Sequence, residues 1–143
     1  MRAEQPQGGQ GLFTALEQDD AFDHIAVSIH PHPAQARLWI RINGRLDDEV
    51  LTHRAAFTYL SDLTLLGSSL VPHGVPIGSP NVQAASLDHS IWFHRPFRAD
   101  AWMLYDQVSP SASGARGLAF GRVFTEDGRL VASVAQEGLI RPR

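Results

Sequence analysis

Between Arg54 and Asp88 the chain carries one Asp, no Glu and no Lys or Arg, and that Asp is Asp62, inside "AFTYLSDLTLLGSSL". The stretch falls in a helical pattern. Asp47 and Asp48 supply an N-cap and favourable charge for a helix from about Glu49 to Leu66, and Gly67 with the serines after it stops it. A helix this apolar needs most of its circumference covered. Taking an unpaired carboxylate out of water costs several kcal/mol, so Asp62 demands either a partner or a reason to be there.

Everything else of regular character reads as strand. "QARLWIRING" alternates, with Leu38, Ile40 and Ile42 on one side and Arg37, Trp39 and Arg41 on the other, and Asn43-Gly44 ends it as a turn. After the loop "GVPIGSPN" come "VQAASLDHSIWFHR", "AWMLYDQVS", "RGLAFGRVF" and "LVASVAQEGLI". Asp127-Gly128 makes a hairpin of the last two, and the polar loop "SPSASGARG" joins the second and third. One helix and one sheet bury each other only if the sheet curls around the helix. The expected fold is therefore α+β: a hotdog, with a curled antiparallel sheet wrapped around one long central helix. Its open face calls for a second copy, hence a homodimer or higher homo-oligomer of hotdog units.

The N-terminal segment differs. "MRAEQPQGGQG" is polar and rich in Gly and Gln, and "LFTALEQDDAFDHIAVSIH" fits a short helical turn followed by a strand. Residues 1–24 are read as a flexible arm and 25–143 as the folded domain. The net charge of −3 argues against a nucleic-acid binder, no apolar run approaches the 18 residues of a membrane span, and no apolar leader opens the chain. With no cysteine there is no disulfide framework, thiolate nucleophile or sulfur-ligated zinc. The expected compartment is the cytoplasm.

Three polar residues stand where apolar ones are expected. Asp62 is the first. Ser86 shares a pleat face with Asp88, Ser90 and Trp92 in the reading of "QAASLDHSIWF" as one strand, and Gln136 shares one with Leu130, Ala132 and Val134. A carboxylate, a hydroxyl and an amide converging beside a central helix can hold one water, with Asp62 taking its proton. The plainer readings are that strand Ser and Gln face solvent or bond a neighbouring backbone, and that a lone helical Asp lies on the exposed side. Pattern alone leaves these open. The histidines of "HPHP" and His73, His89 and His94 match no common metal-ligand spacing. No G-x-S-x-G elbow occurs, no phosphate loop leads into a helix, and the neighbours in "SLDH" point to opposite faces of a regular strand. No cofactor or metal is expected.

"YLSDLTLL", "SLDHSIWFHRPF" and "WMLYDQVSPSASGARGLAFGRVFTEDGRLVASVAQEGLIR" together resemble the C-terminal half of acyl-CoA thioesterase II, the TesB-like family with bacterial and peroxisomal members. The similarity runs from roughly Ala36 to Arg141, and "DHSIWFHRPF" and "GRLVASVAQEG" keep the family's order and spacing. It implies a double-hotdog enzyme that hydrolyses fatty acyl-CoA to free fatty acid and coenzyme A. It also implies a catalytic Asp in the helix, a Thr or Ser just before "DHS" and a Gln before "EG". These positions are Asp62, Ser86 and Gln136 in this chain, where Ser keeps the hydroxyl that some members carry on Thr. Family members hold two hotdog halves, and this chain has room for the second. Two alternatives remain. One is a non-catalytic acyl-CoA-binding or interaction half-domain; the other is a hotdog acyl-CoA hydratase, which needs an Asp–His pair, and no His accompanies Asp62 in the helix.

Overall fold

A computed structural model of the chain describes residues 33–143 and the backbone of two short strands, β1 (Phe13–Ala15) and β2 (Ala26–Ser28), which pair antiparallel. The arm expected over 1–24 lies outside the described residues apart from β1, a strand where a helical turn was expected. The remaining elements are β3 (Gln35–Ile40), α1 (Val50–Asp62), 3₁₀ turns at Leu65–Ser69 and Val71–His73, β4 (Val82–Ser86), β5 (Ser90–Phe93), β6 (Met103–Ser113), β7 (Arg116–Thr125) and β8 (Leu130–Pro142). The strands form one antiparallel sheet in the order β3-β6-β7-β8-β4, with β5 following β4 along the same edge of β8. This is the hotdog arrangement.

Alternation along β6, β7 and β8 turns Met103, Tyr105, Ala119, Val123, Ala132 and Val134 inward, where they meet Phe57, Leu60 and Leu65. Phe57 is fully buried and sits edge-on to Phe93, Phe97 and Tyr105, with ring centroids 5.6 to 6.3 Å apart. Two glycines make room for core side chains. A Cβ at Gly121 would overlap the Tyr105 ring, and one at Gly138 would overlap Leu66.

Four details depart from the sequence reading. The α-helix ends at Asp62 rather than near Leu66. Thr58 and Ser61 hydroxyls bond back to Arg54 and Thr58 carbonyls (2.8 and 2.9 Å), an alternative to the helical ladder that loosens its last turn. The N-cap is Glu49 without a side-chain bond, because Asp48 is taken by Arg98 at 2.6 Å. The helix is covered on one side only: Leu51 and Tyr59 remain 76% and 59% exposed, on the stripe that also carries Asp62. The "SPSASGARG" loop is mostly strand, closed by Gly114 and Ala115, both at φ 59° as a tight primed turn requires.

Candidate active site

The strand expected from Val82 to Arg95 is broken, and the break builds the site. Ser86 pairs with Gly138, but Ser90 pairs with Ala135, so Leu87, Asp88 and His89 stand opposite two residues, Gln136 and Glu137. The Leu87 and Asp88 amides both donate to the Glu137 carbonyl (2.9 and 3.3 Å), and Asp88 Oδ1 accepts from the Glu137 amide at 2.7 Å. This is a β-bulge, and one extra residue reverses the parity of every side chain after it. Ser86 therefore parts company with Asp88, Ser90 and Trp92. The residue that joins it on the inner side is His89.

Asp62, Ser86 and Gln136 meet. The Gln136 amide nitrogen donates to Asp62 Oδ1 at 2.5 Å and to Ser86 Oγ at 2.7 Å, and Ser86 Oγ donates to the same Oδ1 at 3.1 Å. Gln136 is fully buried on β8, Asp62 is half exposed at the end of α1, and Ser86 lies at the exposed end of β4. The carboxylate is thus partnered and wet on one side, so the burial cost inferred from the apolar sequence is largely avoided. Both bonds land on Oδ1, which leaves Oδ2 to take a proton. Burial drives the Tyr105 phenol well above its ordinary range, and the charge of nearby Asp62 adds to the effect. The phenol stays protonated and donates to the Ser61 carbonyl at 3.1 Å, holding the last turn of α1 against β6.

His89 went unassigned in the sequence. Its Nδ1 lies 3.6 Å from Asp62 Oδ1, and its Nε2 lies 2.8 Å from Ser61 Oγ. The Asp–His pair absent from the helix is therefore present in space, supplied by a strand. The signal was Asp88, whose short side chain competes for backbone groups and marks a point where a ladder can open. Beside this cluster is a cavity of about 300 Å³, lined by Asp62, Ser86, Leu66, the Ile77–Pro80 loop and Arg143. That volume is at the small end of ligand pockets. His94 is engaged elsewhere, with Ser133 Oγ at 2.8 Å.

The profile of the acyl-CoA thioesterase family matches residues 25–139. The chain is 47% identical over 104 residues to mouse acyl-coenzyme A thioesterase 8, covering 72% of this chain and 32% of that protein. It is 39% identical over 109 residues to acyl-CoA thioesterase 2 of Haemophilus influenzae, covering 76% of this chain and 38% of that one. An acyl-CoA thioesterase II structure from Mycobacterium marinum superposes with a TM-score of 0.75 at 39% identity, over 99% of this chain and 60% of that chain. The chain spans about a third of the length of the curated relatives it matches.

Proposed function

The chain belongs to the acyl-CoA thioesterase family, and from that premise we propose that it hydrolyses fatty acyl-CoA at Asp62, Ser86 and Gln136. The observation that carries this reading is the convergence of Ser86 and Gln136 on one carboxylate oxygen of Asp62 at the edge of a cavity. With Oδ1 occupied by the two donors, Oδ2 accepts a proton from water. The water oxygen forms a bond to the acyl carbonyl carbon, and the carbon–sulfur bond then breaks. Free acid and a thiolate result, and the thiolate takes the proton held on Asp62 Oδ2, which restores the carboxylate. A thiol of pKa about 8.5 leaves readily, so a strong general acid is not required. The first residue of α1 is twelve positions from Asp62, roughly 18 Å at 1.5 Å per residue, which is too far to steady the oxyanion. The Ile77–Pro80 loop lines the same cavity, and within it the Ile77 and Gly78 amides are the donors we assign to the oxyanion.

The exposed stripe with Leu51 and Tyr59 supports completion by a second hotdog unit, here a second copy of the chain in a homodimer or higher homo-oligomer. The test is thiol release from a panel of acyl-CoAs by the chain and by Asp62→Asn, with the oligomeric mass measured on the same preparation. Asp62→Asn should lose about 10²-fold or more in turnover, the scale of a lost general base. Turnover at the unmodified rate would defeat the assignment. Water addition to a crotonyl thioester without thiol release would move the reading to hydration, with the Asp62–His89 pair as its basis. A monomer that binds acyl-CoA without turnover would make the chain a binding half-domain.

A further inference from the structure

Beyond the three residues just assigned, we infer that His89 is a positioning residue: its imidazole carries a hydrogen on Nδ1 and holds the Asp62 carboxylate in its working rotamer. The inference rests on the thioesterase reading of the site. Nδ1 is shut away from solvent and has no hydrogen-bond partner, and Asp62 Oδ1 faces it at 3.6 Å. Were Nδ1 bare, its lone pair would confront a carboxylate oxygen with no water between them. A hydrogen on Nδ1 turns that repulsion into attraction. At 3.6 Å the contact is an electrostatic hold rather than a hydrogen bond.

The other ring nitrogen permits this. Ser61 Oγ lies 2.8 Å from Nε2 and 2.9 Å from the Thr58 carbonyl, so its hydrogen can serve either. If Ser61 donates to Nε2, the ring is neutral with its hydrogen on Nδ1. If Ser61 donates to Thr58, Nε2 also carries a hydrogen and the ring is an imidazolium. Both arrangements leave Nδ1–H directed at Asp62.

The consequence concerns rotation. Asp62 is the last residue of α1 and half exposed, a place where a carboxylate ordinarily turns freely. Gln136 and Ser86 approach Oδ1 from the sheet, and His89 approaches the same atom from the bulge. Three positive hydrogens around Oδ1 stop the carboxyl group from exchanging its oxygens, so Oδ2 stays the one that meets water.

Conservative replacements separate this role from a structural one, because Asn places an amide N–H where Nδ1 stands, whereas Gln reaches the place of Nε2. His89→Asn should keep kcat within about threefold of the unsubstituted chain, while His89→Gln and His89→Ala should lose about tenfold or more with KM little changed, as expected for misplaced catalytic geometry. The opposite order, with Gln active and Asn not, would mean that His89 merely ties the strand to Ser61, and that overturns the inference. So would three variants of unchanged kcat. The second measurement needs no turnover: nitrogen-15 NMR of the His89 ring in the intact chain. Signals of an Nδ1-protonated or doubly protonated ring support the inference, and an Nδ1-bare ring overturns it. The two readings fail separately. An unchanged rate in Asp62→Asn removes the thioesterase assignment, whereas a bare Nδ1 with a normal Asp62→Asn loss removes only the role of His89.

Discussion

The body of α1 and its C-terminal end are built on opposite terms. Along the body Phe57 is enclosed by three aromatic rings, and His53 Nδ1 accepts the Ala99 amide at 3.1 Å while its Nε2 is buried without a hydrogen-bond partner. Arg98 binds Asp48, Asp100 and the Leu46 carbonyl together beneath it. At the C-terminal end the helix stops short and its last residue is a carboxylate. Around it Ser86 and Gln136 bond Asp62 and each other through their side chains, and the His89 ring bonds Ser61 Oγ. Gln136 Oε1 and His89 Nδ1 are buried there without a hydrogen-bond partner. The body of the helix is closed over by packing, and its end places a half-exposed carboxylate beside a cavity. A carboxylate, a hydroxyl and an imidazole gathered at the edge of a cavity are the groups that proton transfer uses.

That contrast can be broken. The largest effect belongs to the body of the helix: Phe57→Ala should lower unfolding free energy by about 3–5 kcal/mol, the range for emptying an aromatic site in a packed core. Urea denaturation measures it, and a loss near zero would mean that the aromatic cluster is not the centre of the core. At the C-terminal end the order of effects reverses. Asp62→Asn should abolish most turnover yet leave the melting temperature unchanged or slightly higher, because a negative charge in the last turn opposes the helix dipole by roughly 0.3–1 kcal/mol. A large fall in melting temperature would show that Asp62 holds the fold rather than the reaction.

Smaller losses sharpen the picture. Ser86→Ala and Gln136→Ala should each reduce kcat less than Asp62→Asn, and the double variant should fall short of the product of the two, since both act through Oδ1. Full additivity in the same thiol-release assay would mean independent roles. The smallest effect is one of pH. The Arg98 guanidinium, helped by the Leu46 amide, holds the Asp100 carboxyl down at about 2. A lowered folded value stabilises the protein above the unfolded value of about 3.9 and ceases to do so as pH falls toward 2. Asp100→Asn should therefore be less stable than the unsubstituted chain at pH 7, with the difference shrinking between about pH 4 and pH 2. Urea melts across that range check it; a constant gap would detach the carboxylate charge from the effect.

Much of this was legible without coordinates. The period of two in "LVASVAQEGLI" put Gln136 on the face of Leu130, Ala132 and Val134, and the structure buries it. Asp127-Gly128 closes the β7–β8 hairpin with Gly128 at φ 82°, as its dipeptide implied. The isolation of Asp62 in an apolar run drew attention to the residue that Ser86 and Gln136 now surround. The extent of the helix was less legible, because the hydroxyls of Thr58 and Ser61 had two backbone choices and packing decided between them.

Residue types and their alternation are local facts, so the sequence alone determined which side chains could be inner, which turns could close, and that one carboxylate would stand among oily neighbours. Tertiary structure decided where the alternation changes sign. Leu87 and Asp88 could share the Glu137 carbonyl only because β8 lay beside them, and no local preference records the position of a partner strand. That single added residue turned His89 from the outer face to the inner one and delivered it to Asp62. Parity is carried by the chain, but its interruption belongs to the pairing.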